Sequence, residues 1–139
     1  MFRNKEATMP QPYARTILVR PEFSMVELNV PAGEGPPPHT HTRETEEFIV
    51  LQGVFEFYMG NKLPIKLSAG DRLTGPTGIQ HHFRNVGESP GQLILCFMPP
   101  GCERYFEKLE AERAKPGPDL RERICNLDEQ FGIIIDREK

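Results

Sequence analysis

Cysteine is scarce in this 139-residue chain, and the three present, Cys96, Cys102 and Cys125, are an odd number without CxxC spacing. They suit neither a disulfide framework nor a cysteine-based zinc ribbon, and reduced thiols are expected. Long hydrophobic runs are missing too. The longest apolar stretch, residues 93–98, is far too short to span a bilayer, so no membrane partner is expected. Positive charge is also in short supply: 17 Lys and Arg stand against 20 Asp and Glu, a net charge of −3. That balance leaves no basic footprint for nucleic acid. The first twelve residues hold no apolar segment of the signal-peptide kind, and no N-x-Ser/Thr sequon occurs, so a cytoplasmic protein is expected.

What is there reads as one soluble domain. Hydrophobic residues are 37% and charged residues 27% of a chain long enough to bury a core without disulfides. Residues 1–12 are polar with two prolines and read as a loose arm. Short apolar or alternating runs follow at 16–19, 24–30, 47–51, 54–59, 63–67 and 93–98, separated by Gly, Pro and Asn. So many short strands at close spacing point to an all-β domain over residues 13–100, an antiparallel sandwich or small barrel. Residues 101–139 form a helical extension that packs on the barrel or on a partner subunit. Its first helix is expected at 103–114, with Tyr105, Phe106 and Leu109 on one stripe. After the Lys115-Pro-Gly-Pro linker, Asp119 is placed to cap a second helix through about Gln130. Gly132 would close that helix, and residues 133–135 would add an edge strand.

All four histidines fall in two short windows, His39 and His41 in one, His81 and His82 in the other. On a strand, a period of two turns His39 and His41 to the same face, and the parity running through Phe48 and Val50 brings Glu46 inward. His81 would join from a distant strand, whereas its neighbour His82 must face away. Three neutral imidazoles and one carboxylate suit a divalent transition metal (Fe, Mn, Co, Ni or Zn) with positions open for a ligand. Phe48, Phe57 and Phe83 are candidates to line an apolar substrate pocket, with plain core packing as the alternative. Phe48 and Phe83 each lie two residues from a ligand. Cys102 reads as a structural thiol, Asn85 as a turn residue, and the charge run 43–47 as a solvated loop apart from Glu46.

The two windows resemble the paired motifs of the cupin superfamily at every fixed position. Gly33, His39, His41, Glu46 and Gly53 match G-x5-H-x-H-x4-E-x6-G, and Gly70, Pro76, Gly78, His81 and Asn85 match G-x5-P-x-G-x2-H-x3-N. The resemblance implies a double-stranded antiparallel β-barrel (a jelly roll) with His39, His41, Glu46 and His81 as metal ligands. Within the superfamily, the proline-rich approach to His39 and the helical tail look most like the quercetin-dioxygenase-like cupins. That implies a dioxygenase acting on a small aromatic or enolic compound, with Glu46 doubling as the catalytic base, and a homodimer. A non-redox isomerase or cyclase and a small-molecule-binding cupin are the alternatives.

Overall fold

The computed structural model describes residues 13–136, so the arm expected at 1–12 lies outside the described residues. Ten strands and two helices follow in order: β1 (Ala14–Val19), β2 (Ser24–Val30), β3 (His39–His41), β4 (Thr45–Gln52), β5 (Val54–Met59), β6 (Ile65–Ser68), β7 (Arg72–Gly75), β8 (His81–Asn85), β9 (Gly91–Met98), α1 (Glu103–Arg113), α2 (Leu120–Gln130) and β10 (Ile133–Ile135). The strands form two five-stranded sheets, ordered β1-β2-β9-β4-β7 and β10-β3-β8-β5-β6. Each pairing is antiparallel, as between β4 and β9 or β5 and β8. This is the jelly roll that the motif resemblance implied, with a short helical tail.

Alternation along the strands decides what faces inward. In β2, Val26, Leu28 and Val30 are buried; in β4, Glu46, Phe48 and Val50; in β5, Phe55, Phe57 and Met59. The inner faces of the two sheets share one core. Phe48 of β4 packs 5.0 Å from Phe57 of β5 and 6.0 Å from Phe83 of β8, ring centre to ring centre, which closes the space between the sheets. The proline-rich segment before β3 lies directly on β8. A Cβ on Gly35 would sit 1.9 Å from the Phe83 carbonyl oxygen, so only glycine permits that approach.

Some expected boundaries shift. The run at 63–67 becomes β6 at Ile65–Ser68, and β7 has no counterpart among the expected runs. Leu73 is the one large apolar side chain in β7, so no alternation marks that strand in the sequence. Asp119 makes no side-chain cap bond to α2 and instead faces Arg123 Nε at 3.3 Å. Tyr105, Phe106, Leu109, Leu127 and Phe131 bury the inner sides of the helices in the same core, and the Tyr105 hydroxyl donates to Asp128 at 2.6 Å. The chain then returns as β10, pairing Ile133 with His41 and Ile135 with His39. Gly132, at φ +69, ends α2 as expected.

Candidate metal centre

His39 and His81 lie directly opposite each other in the β3–β8 pairing, and His41 is two residues along the same face. Glu46 comes from the other sheet, out of β4. The ligand-capable atoms of His39, His41, Glu46 and His81 all lie within 4.8 Å of one another, and all four residues are buried. The Glu46 carboxylate oxygen Oε1 is 3.2 Å from His41 Nε2 and 3.1 Å from His81 Nε2. Ligands ~2.1 Å from a common ion stand about 3.0–3.5 Å apart, so these spacings fit a shared divalent cation.

The far side of each ring explains which nitrogen points inward. His39 Nδ1 faces the Pro37 carbonyl at 2.9 Å, and His81 Nδ1 faces the Ile79 carbonyl at 3.0 Å. An N–H donated to each carbonyl leaves Nε2 as a bare lone pair, the form a metal needs. Local sequence builds these contacts. Pro36–Pro38 stiffens the approach to His39, and Gly78, at φ +83, takes the positive-φ turn ahead of His81. His41 Nε2 is buried and stands 3.2 Å from Glu46 Oε1, yet has no well-formed hydrogen bond among the described residues. Lone pairs converging on a carboxylate repel one another unless a cation or proton stands among them. The donor set therefore fits a divalent metal.

The electrostatics follow from burial and crowding. Burial, with His81 and His41 alongside, holds His39 well below its ordinary pKa, so it stays neutral. For His41, burial pulls the other way, but the charges of Glu46 and Glu44 outweigh it and raise its pKa. Burial alone would raise Glu46; His41 and His81 instead hold it far below the usual carboxylate range. A carboxylate so held is ionised, the form in which it can ligate a cation.

The other expected residues fall elsewhere. Phe48, Phe57 and Phe83 are between 0% and 2% exposed and packed on one another, with Phe48 edge-on to His81 at 5.5 Å. They are interior packing that backs the histidines, the plainer of the two readings their sequence positions allowed. His82 faces away, as its parity requires, and stacks on Tyr58 at 4.3 Å. Asn85 pins its loop, donating to the Val30 and Ser89 carbonyls and accepting from the Gly87 N–H.

Two residues of the site escaped the sequence reading. Glu44, expected in a solvated charge run, is 5% exposed, with Oε1 3.7 Å from His41 Nδ1. Its signal was present: Glu44, Glu46, Phe48 and Val50 share one strand parity. Cys102, fully buried, places Sγ 3.9 Å from the same nitrogen, and burial pushes its thiol well above the ordinary range. Nothing local in the sequence marks that contact, which chain return alone creates.

A cupin domain model matches residues 26–107, which span both motifs. Germin-like protein subfamily 2 member 2 of Arabidopsis thaliana is 35% identical over 123 residues, 84% of this chain and 54% of that protein. Germin-like protein 5-1 of Oryza sativa subsp. japonica is 40% identical over 78 residues, 53% of this chain and 35% of that protein. The chain thus spans about half or less of the length of these curated relatives. Among solved structures, KdgF from Halomonas sp. superposes with TM-score 0.62 at 22% identity, covering 75% of this chain and 92% of that one. An oxalate oxidase structure superposes with TM-score 0.52 at 25% identity, covering 55% and 42%. These relatives are germin-like in name and do not single out the quercetin-dioxygenase-like branch. With both motifs matched and the two-sheet fold in place, the chain belongs to the cupin family.

Proposed function

We propose that this chain is a metal-dependent oxidoreductase of the cupin family, a dioxygenase acting on a small aromatic or enolic compound. The convergence of three inward imidazoles and one ionised carboxylate carries the reading. His39, His41, His81 and Glu46 would hold one divalent transition metal. Bound there, such a metal polarises an oxygen donor of the substrate and, when redox-active, exchanges electrons with dioxygen. The chain's own residues do the rest. The Pro37 and Ile79 carbonyls hold two imidazoles in the ligating tautomer. Phe48, Phe57 and Phe83 keep water from the inner side of the centre. Glu46 accepts the substrate proton only by loosening its contacts to His41 and His81. The likeness to germin-like proteins and to an oxalate oxidase supports oxidation of a small oxygen-rich compound equally well. Three free thiols support a reducing, cytoplasmic setting. A homodimer belongs to the same proposal.

Oxygen uptake tests it. Protein reconstituted in turn with Fe, Mn, Co and Ni is offered flavonols, catechols and oxalate. The dioxygenase reading expects oxygen consumption without hydrogen peroxide, lost in Glu46→Gln. Stoichiometric peroxide would mark an oxidase, and turnover that continues without oxygen would select a non-redox isomerase or cyclase.

A further inference from the structure

His41 differs from the other two histidines on its outer side. His39 and His81 each donate a hydrogen bond from Nδ1–H to a backbone carbonyl, at 2.9 Å and 3.0 Å. Facing His41 Nδ1 are instead two side chains, Glu44 with Oε1 at 3.7 Å and Cys102 with Sγ at 3.9 Å. Glu44 Oε1 is buried and has no hydrogen-bond partner among the described residues. A carboxylate placed there without a purpose would cost folding free energy that solvent exposure would avoid. The loop cannot readily swing it out, because Thr42 donates to the Gly132 carbonyl at 2.6 Å and Arg43 to the Gln130 carbonyl at 2.9 Å.

We infer that Glu44 is the positioning residue of His41: its buried carboxylate accepts a hydrogen bond from Nδ1–H, aims Nε2 at the metal and strengthens it as a donor. The inference rests on the proposed metal centre. Of the two facing groups, the thiol sulfur is a weak acceptor and the carboxylate a strong one. A shift of about 1 Å brings the separation into hydrogen-bond range, within reach of one side-chain torsion. A carboxylate on one imidazole nitrogen raises the basicity of the other. His41 is thereby the one ligand whose donor strength is set by a side chain, and the one a substitution can tune without touching the metal.

The test is Co2+ affinity by competition titration, beside the unfolding midpoint of the metal-stripped protein, for Glu44→Gln, Glu44→Leu and Cys102→Ser. Glu44→Leu should weaken Co2+ binding about 10- to 100-fold, and Glu44→Gln by less, because the amide oxygen still accepts. Neither should lower the metal-stripped midpoint, since each removes a buried carboxylate whose Oε1 has no hydrogen-bond partner among the described residues. Cys102→Ser should stay within about twofold of the parent, as expected for a weak acceptor. The Co2+-shifted imidazole N–H resonance of His41 should move in Glu44→Gln while those of His39 and His81 stay. Unchanged affinity in both Glu44 variants would overturn the inference, and so would an affinity loss matched by an equal loss of metal-stripped stability. Failure of the parent protein to bind Co2+ would instead overturn the metal centre itself, a result separable from the first two.

Discussion

His81 and His82 are adjacent in the chain and face opposite sides of one strand, His81 2% exposed toward Glu46 and His82 stacked on Tyr58. His81→Ala should therefore abolish stoichiometric metal binding, measured by elemental analysis, while His82→Ala leaves it intact. The reverse result would mean the register is wrong. Glu103 offers a pH test away from the centre. Burial pushes its carboxyl up, but the hydrogen bonds it accepts, the Gly101 N–H at 2.7 Å among them, win and lower its pKa. A lowered folded-state pKa stabilises the fold above the unfolded value near 4.5 and loses that contribution as pH falls toward the folded value. Glu103→Gln should flatten the loss of stability on acidification below that point, read from urea midpoints across pH. Parallel curves for the two proteins would contradict the assignment. At this scale, parity made the four converging residues legible, and it would have found Glu44 had it been followed two residues back from Glu46. The phenylalanines were harder, because alternation tells inside from outside and cannot tell a packed ring from a pocket wall.

Among the elements, the β3–β4 loop depends on the end of α2. Gly132 accepts from the Thr42 N–H at 3.0 Å and from its hydroxyl at 2.6 Å. At φ +69, with a Cβ that would meet Thr42 Oγ1 at 2.6 Å and Arg43 Nε at 2.7 Å, the position admits only glycine without rearrangement. Gly132→Ala should cost at least about 1–2 kcal/mol for the left-handed conformation alone, measured by chemical denaturation. Metal affinity should fall with it, because the same loop carries Glu44. A neutral substitution would show that the loop is not held from the tail. Gly132 was readable as a helix terminator. Its second duty was not, since only the return of β10 beside β3 brings Thr42 and Arg43 against it. The same holds for β7, which pairs Gly75 with Glu46 from a stretch too polar and too short to show a period. Asp119 does stand at the N-cap of α2, but its carboxylate faces Arg123, one turn on, at 3.3 Å and makes no cap bond of its own.

For the whole molecule, the placement of ligands on both sheets matters most. His39, His41 and His81 belong to one sheet and Glu46 to the other, so a bound ion ties the two layers together. The fold then gains stability by mass action from whatever binds only the native state. A divalent ion held at a thousandfold excess over its dissociation constant contributes about 4 kcal/mol. For a chain of this size that raises the Tm by roughly 10 °C, reversed by chelator and lost in His81→Ala. An equal shift in the variant would place the ion elsewhere. The single most direct measurement is anomalous X-ray scattering from crystals of metal-saturated protein. One peak per chain within bonding distance of the ring nitrogens of His39, His41 and His81 and of a Glu46 oxygen is the result expected. A saturated crystal whose peak lies away from those four residues, or which shows no peak at all, would contradict the account.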